Sequence, residues 1–471
     1  MSGTFAPGEI KTRPGNYVRY ENAGANPQAA VIAGVVAAPF QADWGPLGVV
    51  REIASVSEGE AMYGKAGRTE ILSLIKRGGA TKIKAVRVGT GGTKGALTLK
   101  DTTANTAVEV VTLTAKYEGA RALSATVRDS LTDTTKREVI FYSGTLELQR
   151  VAFAKGSTEV DAIVAAVNAE DDGVATAAKA AAGNGTLAAV TQSAFAGGAD
   201  PSIANSDYSA AFTLLESEKW NVLALDTSDA AVHTLANAYI KRVRDAGMFV
   251  MGVVGQLTSV VLATRMSEAA ALNNEAMVYA LNGFYDSGFT LMDGYKAAAV
   301  IAGMVAATAS NQSLTHSVIS GAVSIAGALT NTQIEACILG GALALTASQT
   351  GGVWIESAVN TLVTPEANQD VGWKKIRRTK TRYELMNRII ENTDPIIGKV
   401  DNDENGRATV LAVAQGVINA MISEDKLVSG SANEDSSNVA SGDSAWFTLS
   451  VIDKDSIEKT YWTFRFQFGG Q

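Results

Sequence analysis

Residues 59–66 have the glycine and lysine spacing of a phosphate-binding loop. The segment reads Gly-Glu-Ala-Met-Tyr-Gly-Lys-Ala, and Lys65 stands where such loops carry their phosphate-binding lysine. The position that should hold a magnesium-binding hydroxyl is Ala66. Met62 and Tyr63 would also crowd backbone amides that must face the phosphates. We therefore expect no nucleotide site and no cofactor here.

An acidic segment at residues 401–406 copies the first half of a calcium-binding helix-loop-helix loop. Asp401, Asp403 and Asn405 have the expected spacing. The position that should carry a bidentate glutamate is Ala412. A turn that caps the following helix is the better interpretation, and no metal site is predicted.

The two histidines lack the sequence context of catalytic residues. His233 lies in a helical stretch, His316 lies in a polar loop, and no G-x-S-x-G motif occurs. Asp226 ends a predicted strand, where a hydrolase could hold an acid, so a Ser/His/Asp set with either histidine stays an alternative. The favoured interpretation is that the chain has no catalytic residue and is not an enzyme.

Basic residues crowd a helix predicted at 373–391. This basic cluster consists of Lys374, Lys375, Arg377, Arg378, Lys380, Arg382 and Arg388. One interpretation is a solvated helix face, and another is an interface to an acidic partner surface. Nucleic acid is a third interpretation, but the net charge of −8 argues against nucleic-acid binding by the chain as a whole.

The composition indicates a folded chain with more than one domain. Of its 471 residues 46% are hydrophobic and 19% are charged, and the length exceeds what one ordinary core supports. The longest apolar run, 297–309, is shorter than the roughly 20 residues of a membrane span. The N-terminus shows no secretion signal, so we expect a cytoplasmic protein without membrane insertion. The single cysteine, Cys337, is expected to be a buried apolar residue.

Hydrophobic patterning divides the chain into successive segments. Threonine and valine alternate with polar residues from 96 to 148, which predicts strands. An apolar strand is predicted at 29–36. Strands alternate with helices from 208 to 358, with one of the helices at 230–245, which predicts a parallel sheet with crossovers. Residues 159–182 have a helical pattern, and residues 429–444 are predicted to form a loop. The predicted segments are an N-terminal extended arm at 1–25, a first part of a core domain at 26–94, a β-rich insertion domain at 95–198, an α/β domain at 199–364, a second part of the core domain at 365–455, and a C-terminal strand arm at 456–471.

Both ends of the chain look unsuited to a self-contained core. Residues 1–25 are rich in glycine, proline and asparagine, whereas residues 460–468 alternate large aromatic with polar side chains. Aromatic side chains on one face of a strand need a surface to cover them, and an extended end can add to the sheet edge of a neighbour. The sequence therefore predicts self-assembly through the ends. The proposed arm residues are Arg13, Pro14, Gly15, Tyr17, Val18, Tyr461, Trp462, Phe464, Phe466 and Phe468.

Short motifs along nearly the whole chain carry a resemblance to a known family. They are Gly3-Thr4-Phe5, Arg13-Pro14-Gly15, Trp44-Gly45-Pro46, Tyr117-Glu118-Gly119, Leu215-Glu216, Trp220-Asn221, Asp293-Gly294, Ala302-Gly303-Met304, Asn360-Thr361-Leu362, Gly398-Lys399-Val400, Gly406-Arg407 and Glu458-Lys459-x-Tyr461. In this order they resemble sheath proteins of contractile phage tails, of the type found in phages and phage-like particles of Gram-positive bacteria. One departure is Arg121-Ala122, which follows Tyr-Glu-Gly where Gly-Asn is expected.

The resemblance implies both a fold and a function. The implied fold is multidomain α/β plus α+β, with a subtilisin-like α/β domain without catalytic residues, a small β-rich insertion domain, and an α+β core domain with extended arms. The implied function is structural: copies stack as hexameric rings around a tail tube in a helical polymer, held by strand exchange. Contraction of this injection system drives the tube through the host envelope for genome ejection.

The resemblance also implies partners and a location. The implied partners are other copies of the chain, the tail tube protein, and baseplate and tail terminator proteins. The implied location is the virion tail, or a phage-tail-like particle, assembled in the cytoplasm of the host bacterium. On this basis the basic cluster is a candidate tube-facing surface, and residues 22–26 and 429–444 are candidate hinges. The alternatives are an α/β hydrolase and another self-assembling shell or surface-layer protein.

Overall fold

The computed structural model describes residues 2–3, 16–17, 34–349, 351–367 and 369–467. Near the N-terminus, Ser2–Gly3 (β1) pairs in parallel with Asn16–Tyr17 (β2). The predicted arm residues Arg13, Pro14, Gly15, Val18 and Phe468 lie outside the described residues, as does the predicted hinge at 22–26.

Residues 34–94 form alternating strands and helices. The elements are Val35–Phe40 (β3), Val50–Ile53 (β4), Val56–Tyr63 (α1), Glu70–Arg77 (α2) and Lys82–Arg87 (β5). Strand β3 extends beyond the strand predicted at 29–36, because Ala37, Ala38 and Phe40 are buried as well. Ser55 caps the start of helix α1, because its side chain accepts a hydrogen bond from the Glu58 backbone amide.

Residues 95–198 form two antiparallel sheets with one helix. The elements are Ala96–Lys100 (β6), Glu109–Ala115 (β7), Leu123–Asp129 (β8), Lys136–Ser143 (β9), Leu146–Ala154 (β10), Glu159–Asn168 (α3), Ala175–Lys179 (β11) and Val190–Ala194 (β12). The sheet orders are β10-β9-β8-β12 and β11-β7-β6. Side chains from both sheets and α3 enclose a separate core, which includes Val139, Phe141 and Ile163.

The helical pattern predicted over residues 159–182 is wrong in its second half. Helix α3 ends at Asn168, and the alanine-rich residues 175–179 form strand β11. This strand pairs with β7, with Ala175 opposite Ala115 and Ala177 opposite Leu113. Backbone pairing and burial of Ala175 and Ala177 outweigh the helix propensity of alanine.

Residues 199–364 continue the alternation of strands and helices. The elements are Asn205–Leu215 (α4), Val222–Ala224 (β13), Ala230–Asp245 (α5), Met251–Gly255 (β14), Leu262–Leu272 (α6), Met277–Ala280 (β15), Gly283–Asp286 (β16), Leu291–Met292 (β17), Tyr295–Ala307 (α7), Ala322–Ala326 (β18), Asn331–Leu339 (α8), Leu345–Ala347 (β19) and Val353–Ile355 (β20). Among the described residues, no helix combines the length and the hydropathy needed to span a membrane. Cys337 is buried in α8, as the sequence predicts.

One six-stranded sheet forms the centre of the molecule. Its order is β15-β14-β13-β3-β5-β4, and all neighbouring pairs are parallel except β4 with β5. Strands from the predicted segments 26–94 and 199–364 thus share one sheet and one hydrophobic core. Ile376 and Tyr383, from the segment that was grouped with 26–94 in the predicted core domain, belong to the same hydrophobic core.

The C-terminal part packs helices against a two-stranded ribbon. After a short 3-10 turn at Val371–Lys374, the elements are Ile376–Thr393 (α9), Glu404–Ser423 (α10), Leu427–Glu434 (β21) and Phe447–Asp453 (β22). The loop predicted over 429–444 is wrong for 429–434, which pair with β22. Leu427, Leu449 and Val451 pack with Ile418 and Met421 of α10, and this packing outweighs the polar composition of β21.

Helices α2 and α7 approach each other until their backbones touch. A Cβ atom on Gly303 would lie 2.1 Å from the carbonyl oxygen of Ile75. A Cβ atom on Gly78 would lie 2.2 Å from the carbonyl oxygen of Val300. Only glycine fits at this crossing, which joins the 34–94 segment to the centre of the α/β part.

Candidate functional site

The carboxyl ends of β3 and β13 form the point at which an α/β sheet would hold a ligand or a catalytic acid. Asp226 lies there and is fully buried. Its carboxylate accepts hydrogen bonds from the Tyr208 hydroxyl at 2.6 Å and from the Gln41 amide at 2.8 Å. Arg68 donates to the carbonyl oxygen of Asp226. Burial raises the pKa of Asp226. The chain's own groups fill the place where a substrate would bind.

Neither histidine is brought to Asp226. Nε2 of His233 lies 3.2 Å from the carbonyl oxygen of Thr227, and the ring is buried edge-on to Tyr279. Burial lowers the pKa of His233, so its imidazole is neutral at pH 7. His316 stacks on Trp354 with ring centroids 4.1 Å apart. Both carboxylate oxygens of Asp226 are already occupied, so the alternative Ser/His/Asp set is not assembled.

The two motif-like segments have structural roles. Gly59 and Tyr63 lie inside helix α1, where their amides serve the helix and cannot cradle a phosphate. The Asp403 side chain accepts a hydrogen bond from the Gly406 amide at 2.8 Å and caps α10, which confirms the predicted capping turn. Among the described residues, no group of three or more His, Cys, Asp or Glu is placed to hold a metal ion.

Most of the basic cluster faces groups of the same chain. Arg377 is buried, and the Lys380 ammonium donates to the carbonyl oxygens of Val305 and Thr308 at the end of α7. Burial lowers the pKa of Lys380 to about 8. Lys374 donates to the carbonyl oxygen of Val363. The solvated-face interpretation is therefore wrong, because α9 uses these charges to attach itself to the α/β part.

Three further basic residues, at the start of α9 and within it, bind acidic residues at the end of β22 and directly after it. We call this group of ion pairs the C-terminal clasp, and it consists of Lys375, Arg378 and Arg382 with Asp453, Asp455 and Glu458. Arg378 binds Asp453 through two hydrogen bonds of 2.7 Å. Lys375 lies 2.7 Å from Asp455 and 3.4 Å from Glu458. The clasp was not predicted from the sequence, although its three acidic residues lie within six positions and are opposite in charge to the basic cluster.

The clasp fixes the place where the C-terminal strand arm leaves the body. The Glu458 carboxylate also accepts hydrogen bonds from the hydroxyls of Ser313 and Thr315. Ile457, between the acidic residues, is 86% exposed. Polar contacts and not apolar packing therefore hold residues 454–458.

We expect the substitution Asp453→Asn to loosen the C-terminal part. Side chains of Asp453 and Arg378 are only 7% and 20% exposed, and removing one partner of such a pair costs about 3 kcal/mol. Urea unfolding should show the loss, and amide hydrogen exchange of residues 454–458 should speed up. Asp425→Asn is the matched control, because Asp425 is 78% exposed in its pair with Lys454 and should cost less than about 1 kcal/mol. Equal effects of both substitutions would contradict a buried clasp.

The ion pair of Asp453 with Arg378 also predicts that the stability of the C-terminal part depends on pH. Burial would raise the pKa of Asp453, but the hydrogen bonds from Arg378 and the charge of Arg382 hold it below its usual value. Because the folded pKa lies below the unfolded value of about 3.9, the stabilisation is present at neutral pH and is lost as the pH falls through the folded value. Acid should therefore lower the protection factors of residues 454–458, taken relative to the intrinsic exchange rate at each pH, and Asp453→Asn should remove most of this dependence.

Beyond the clasp, residues 459–467 pair with no strand in the part of the chain that the structure describes. Residues 454–467 have no regular hydrogen-bonded structure, and Tyr461, Trp462, Phe464 and Phe466 are 89%, 78%, 76% and 91% exposed. The ribbon β21–β22 also has no third strand on either edge among the described residues. A projecting aromatic segment and an incomplete sheet thus occur in the same part of the molecule.

Comparison with known proteins identifies the class. Residues 202–361 match the family model described as the phage tail sheath protein central domain. The match confirms, over this part of the chain, the resemblance to tail sheath proteins stated from the sequence.

Individual relatives extend over most of the chain. The phage-like element PBSX protein XkdK of Bacillus subtilis (strain 168) is 26% identical over 399 residues, which cover 80% of this chain and 78% of the relative. The crystal structure of the sheath tail protein from Desulfitobacterium hafniense matches with a TM-score of 0.70 at 21% identity, over 93% of this chain and all of that one. The helical sheath of the anti-feeding prophage in its contracted state matches with a TM-score of 0.55 at 10% identity, over 97% of this chain and 99% of that one. The mixed α/β fold with several sheets is therefore that of sheath proteins.

Proposed function

We propose that the chain is a structural subunit of a contractile tail sheath, with no catalytic role. The observation that carries the proposal is the match of residues 202–361 to the phage tail sheath central domain. The surroundings of Asp226 support the proposal. Its carboxylate, at the carboxyl ends of β3 and β13, already accepts hydrogen bonds from Tyr208 and Gln41 and is not free to act as a catalytic acid or base. The subtilisin-like description of the α/β part stays a proposal, supported by the parallel sheet between helices.

The subunits polymerise as hexameric rings stacked around a tail tube, and their terminal arms exchange strands. Two features support this arrangement: the exposed aromatic residues at 461–466 and the free edges of the ribbon β21–β22. An added strand extends the ribbon through backbone hydrogen bonds. The ribbon in turn covers the aromatic side chains of the added strand. Residues 13–20 and 460–468 are the proposed donor strands.

The partners follow from this role. They are further copies of the chain, the tail tube protein, and baseplate and tail terminator proteins, in a virion tail or phage-tail-like particle assembled in the host cytoplasm. Contraction of the sheath drives the tube through the envelope. The proposal that the basic cluster faces the tube is weakened by its internal pairs, which leave few of its charges for a partner.

Electron microscopy of the purified protein tests the proposal. The full chain should form tubes of regular diameter, whereas a chain without residues 1–20 should stay monomeric with an unchanged circular dichroism spectrum. Flat arrays or closed shells would favour the surface-layer or shell alternative. Tubes formed by the truncated chain would rule out a donor role for the N-terminal arm.

A further inference from the structure

The side chain of Gln415 makes two hydrogen bonds to the backbone of strand β21. Its Nε2 donates to the carbonyl oxygen of Gly430 at 3.2 Å, and its Oε1 accepts from the Ala432 amide at 3.1 Å. Nε2 also lies 3.0 Å from Oδ1 of Asn419, one turn further along α10. Every polar atom of this amide is therefore engaged, and two of its three partners belong to one strand.

These two backbone groups lie on the free edge of the ribbon. In an antiparallel pair, the backbone N–H and C=O groups of alternate residues point towards the partner strand. The carbonyl of Gly430 and the amide of Ala432 bond to α10, so they point away from β22. An unpaired N–H and C=O on one edge are what a new strand would bind. The Gln415 amide presents one donor and one acceptor to them, as the backbone of an added strand would.

We propose that Gln415 is a latch on the free edge of β21, and that the C-terminal strand of a second copy displaces it on assembly. The inference rests on the proposed strand exchange and adds a control step to it. In the monomer the latch satisfies the edge and suppresses random pairing. In the polymer the backbone of residues 460–467 takes over the bonds to Gly430 and Ala432.

The surroundings of the edge fit an aromatic strand. Leu411 lies one helical turn before Gln415 on the same side of α10 and is only half-buried. The face of the ribbon towards α10 is apolar, with Leu449 and Val451 packed there. An added strand in register with β21 would extend this apolar face with Phe464 and Phe466, which the monomer leaves exposed.

The substitution Gln415→Met tests the latch, because methionine keeps the length and helix propensity of glutamine but cannot bond to the edge. In the monomer, amide exchange at Ala432 should become faster, on the order of fivefold for the loss of one hydrogen bond. Tube formation, followed by light scattering, should begin on the order of fivefold sooner, because no bond to the side chain must first be broken. Gln415→Glu keeps an acceptor for the Ala432 amide and should give a smaller acceleration.

The control is Thr409→Ala, an exposed change on the same helix that leaves the edge bonds intact and should alter neither readout. Equal assembly rates for Gln415→Met and the native chain, both forming tubes, would overturn the latch and leave the proposed function standing. Absence of tubes from the native chain would overturn both. Acceleration that persists after removal of residues 459–471 would show that another strand displaces Gln415, and would overturn the assignment of the C-terminal strand.

Discussion

Replacing Trp462, Phe464 and Phe466 together with serine should abolish tube formation and leave the monomer as stable as before. These rings are 78%, 76% and 91% exposed, so the fold gains little from them. Burial of one such ring against a neighbouring subunit contributes about 2–3 kcal/mol to assembly. The triple variant loses all three contributions at every contact between subunits. Electron microscopy and sedimentation should show monomers, with an unfolding midpoint within about 1 °C of the native chain.

The matched control removes exposed apolar side chains elsewhere. Leu131, in the bend that follows β8, and Leu146, the first residue of β10, are 79% and 58% exposed, and their joint change to serine should leave tubes intact. If the aromatic variant still polymerised, the C-terminal strand would not be a donor. If it unfolded at a much lower temperature, its rings would pack within the chain and the exposed arrangement would be wrong.

Elements with local signals were predicted closely from the sequence. Helix α5 was predicted at 230–245 and is observed there, because Asp229 caps its start through the Ala231 amide and apolar residues recur on one face. The capping role of Asp403 was predicted from a similarly local pattern. Helix α6 was not predicted, because Val261 at its start provides no side-chain capping hydrogen bond that would mark a helix.

Features that depend on distant residues could not be predicted in the same way. Gln41 and Asp226 are neighbours across the sheet, although 184 residues separate them in the chain. No local pattern shows that 34–94 and 199–364 share one sheet, and the insertion domain between them hides the connection. The partners of the basic cluster could not be predicted for the same reason, because Arg378 and Asp453 come together only when β22 packs against α9.

The need of the C-terminal segment for a partner surface was predicted from its sequence alone. The alternation at 460–468 predicted a strand with an aromatic face, and its composition alone indicated a need for a partner surface. The structure adds where this segment is attached, through the C-terminal clasp. It also adds the free edge that Gln415 occupies, which no sequence pattern indicated because a single glutamine in an amphipathic helix carries no such signal.

The substitution Gly303→Ala should destabilise the centre of the molecule by about 3 kcal/mol. The new methyl carbon would lie 2.1 Å from the carbonyl oxygen of Ile75, and the obstacle is backbone that cannot rotate away. Helices α2 and α7 would have to separate, which would loosen the packing of Ile75 and Val300 in the shared core. Urea unfolding followed by tryptophan fluorescence of Trp220, which is buried in that core, should report the change.

Gly59→Ala is the matched control, since it places the same methyl group in another helix. There the nearest atom, 2.8 Å away, is the end of the flexible Leu72 side chain. Alanine also favours a helix over glycine by about 1 kcal/mol, so the net change should stay within about 1 kcal/mol. If Gly303→Ala behaved like Gly59→Ala, the two helices would not be in backbone contact. If only Gly303→Ala destabilised the chain, the backbone contact of α2 with α7 would help to join residues 34–94 to residues 199–364, in addition to the sheet that they share.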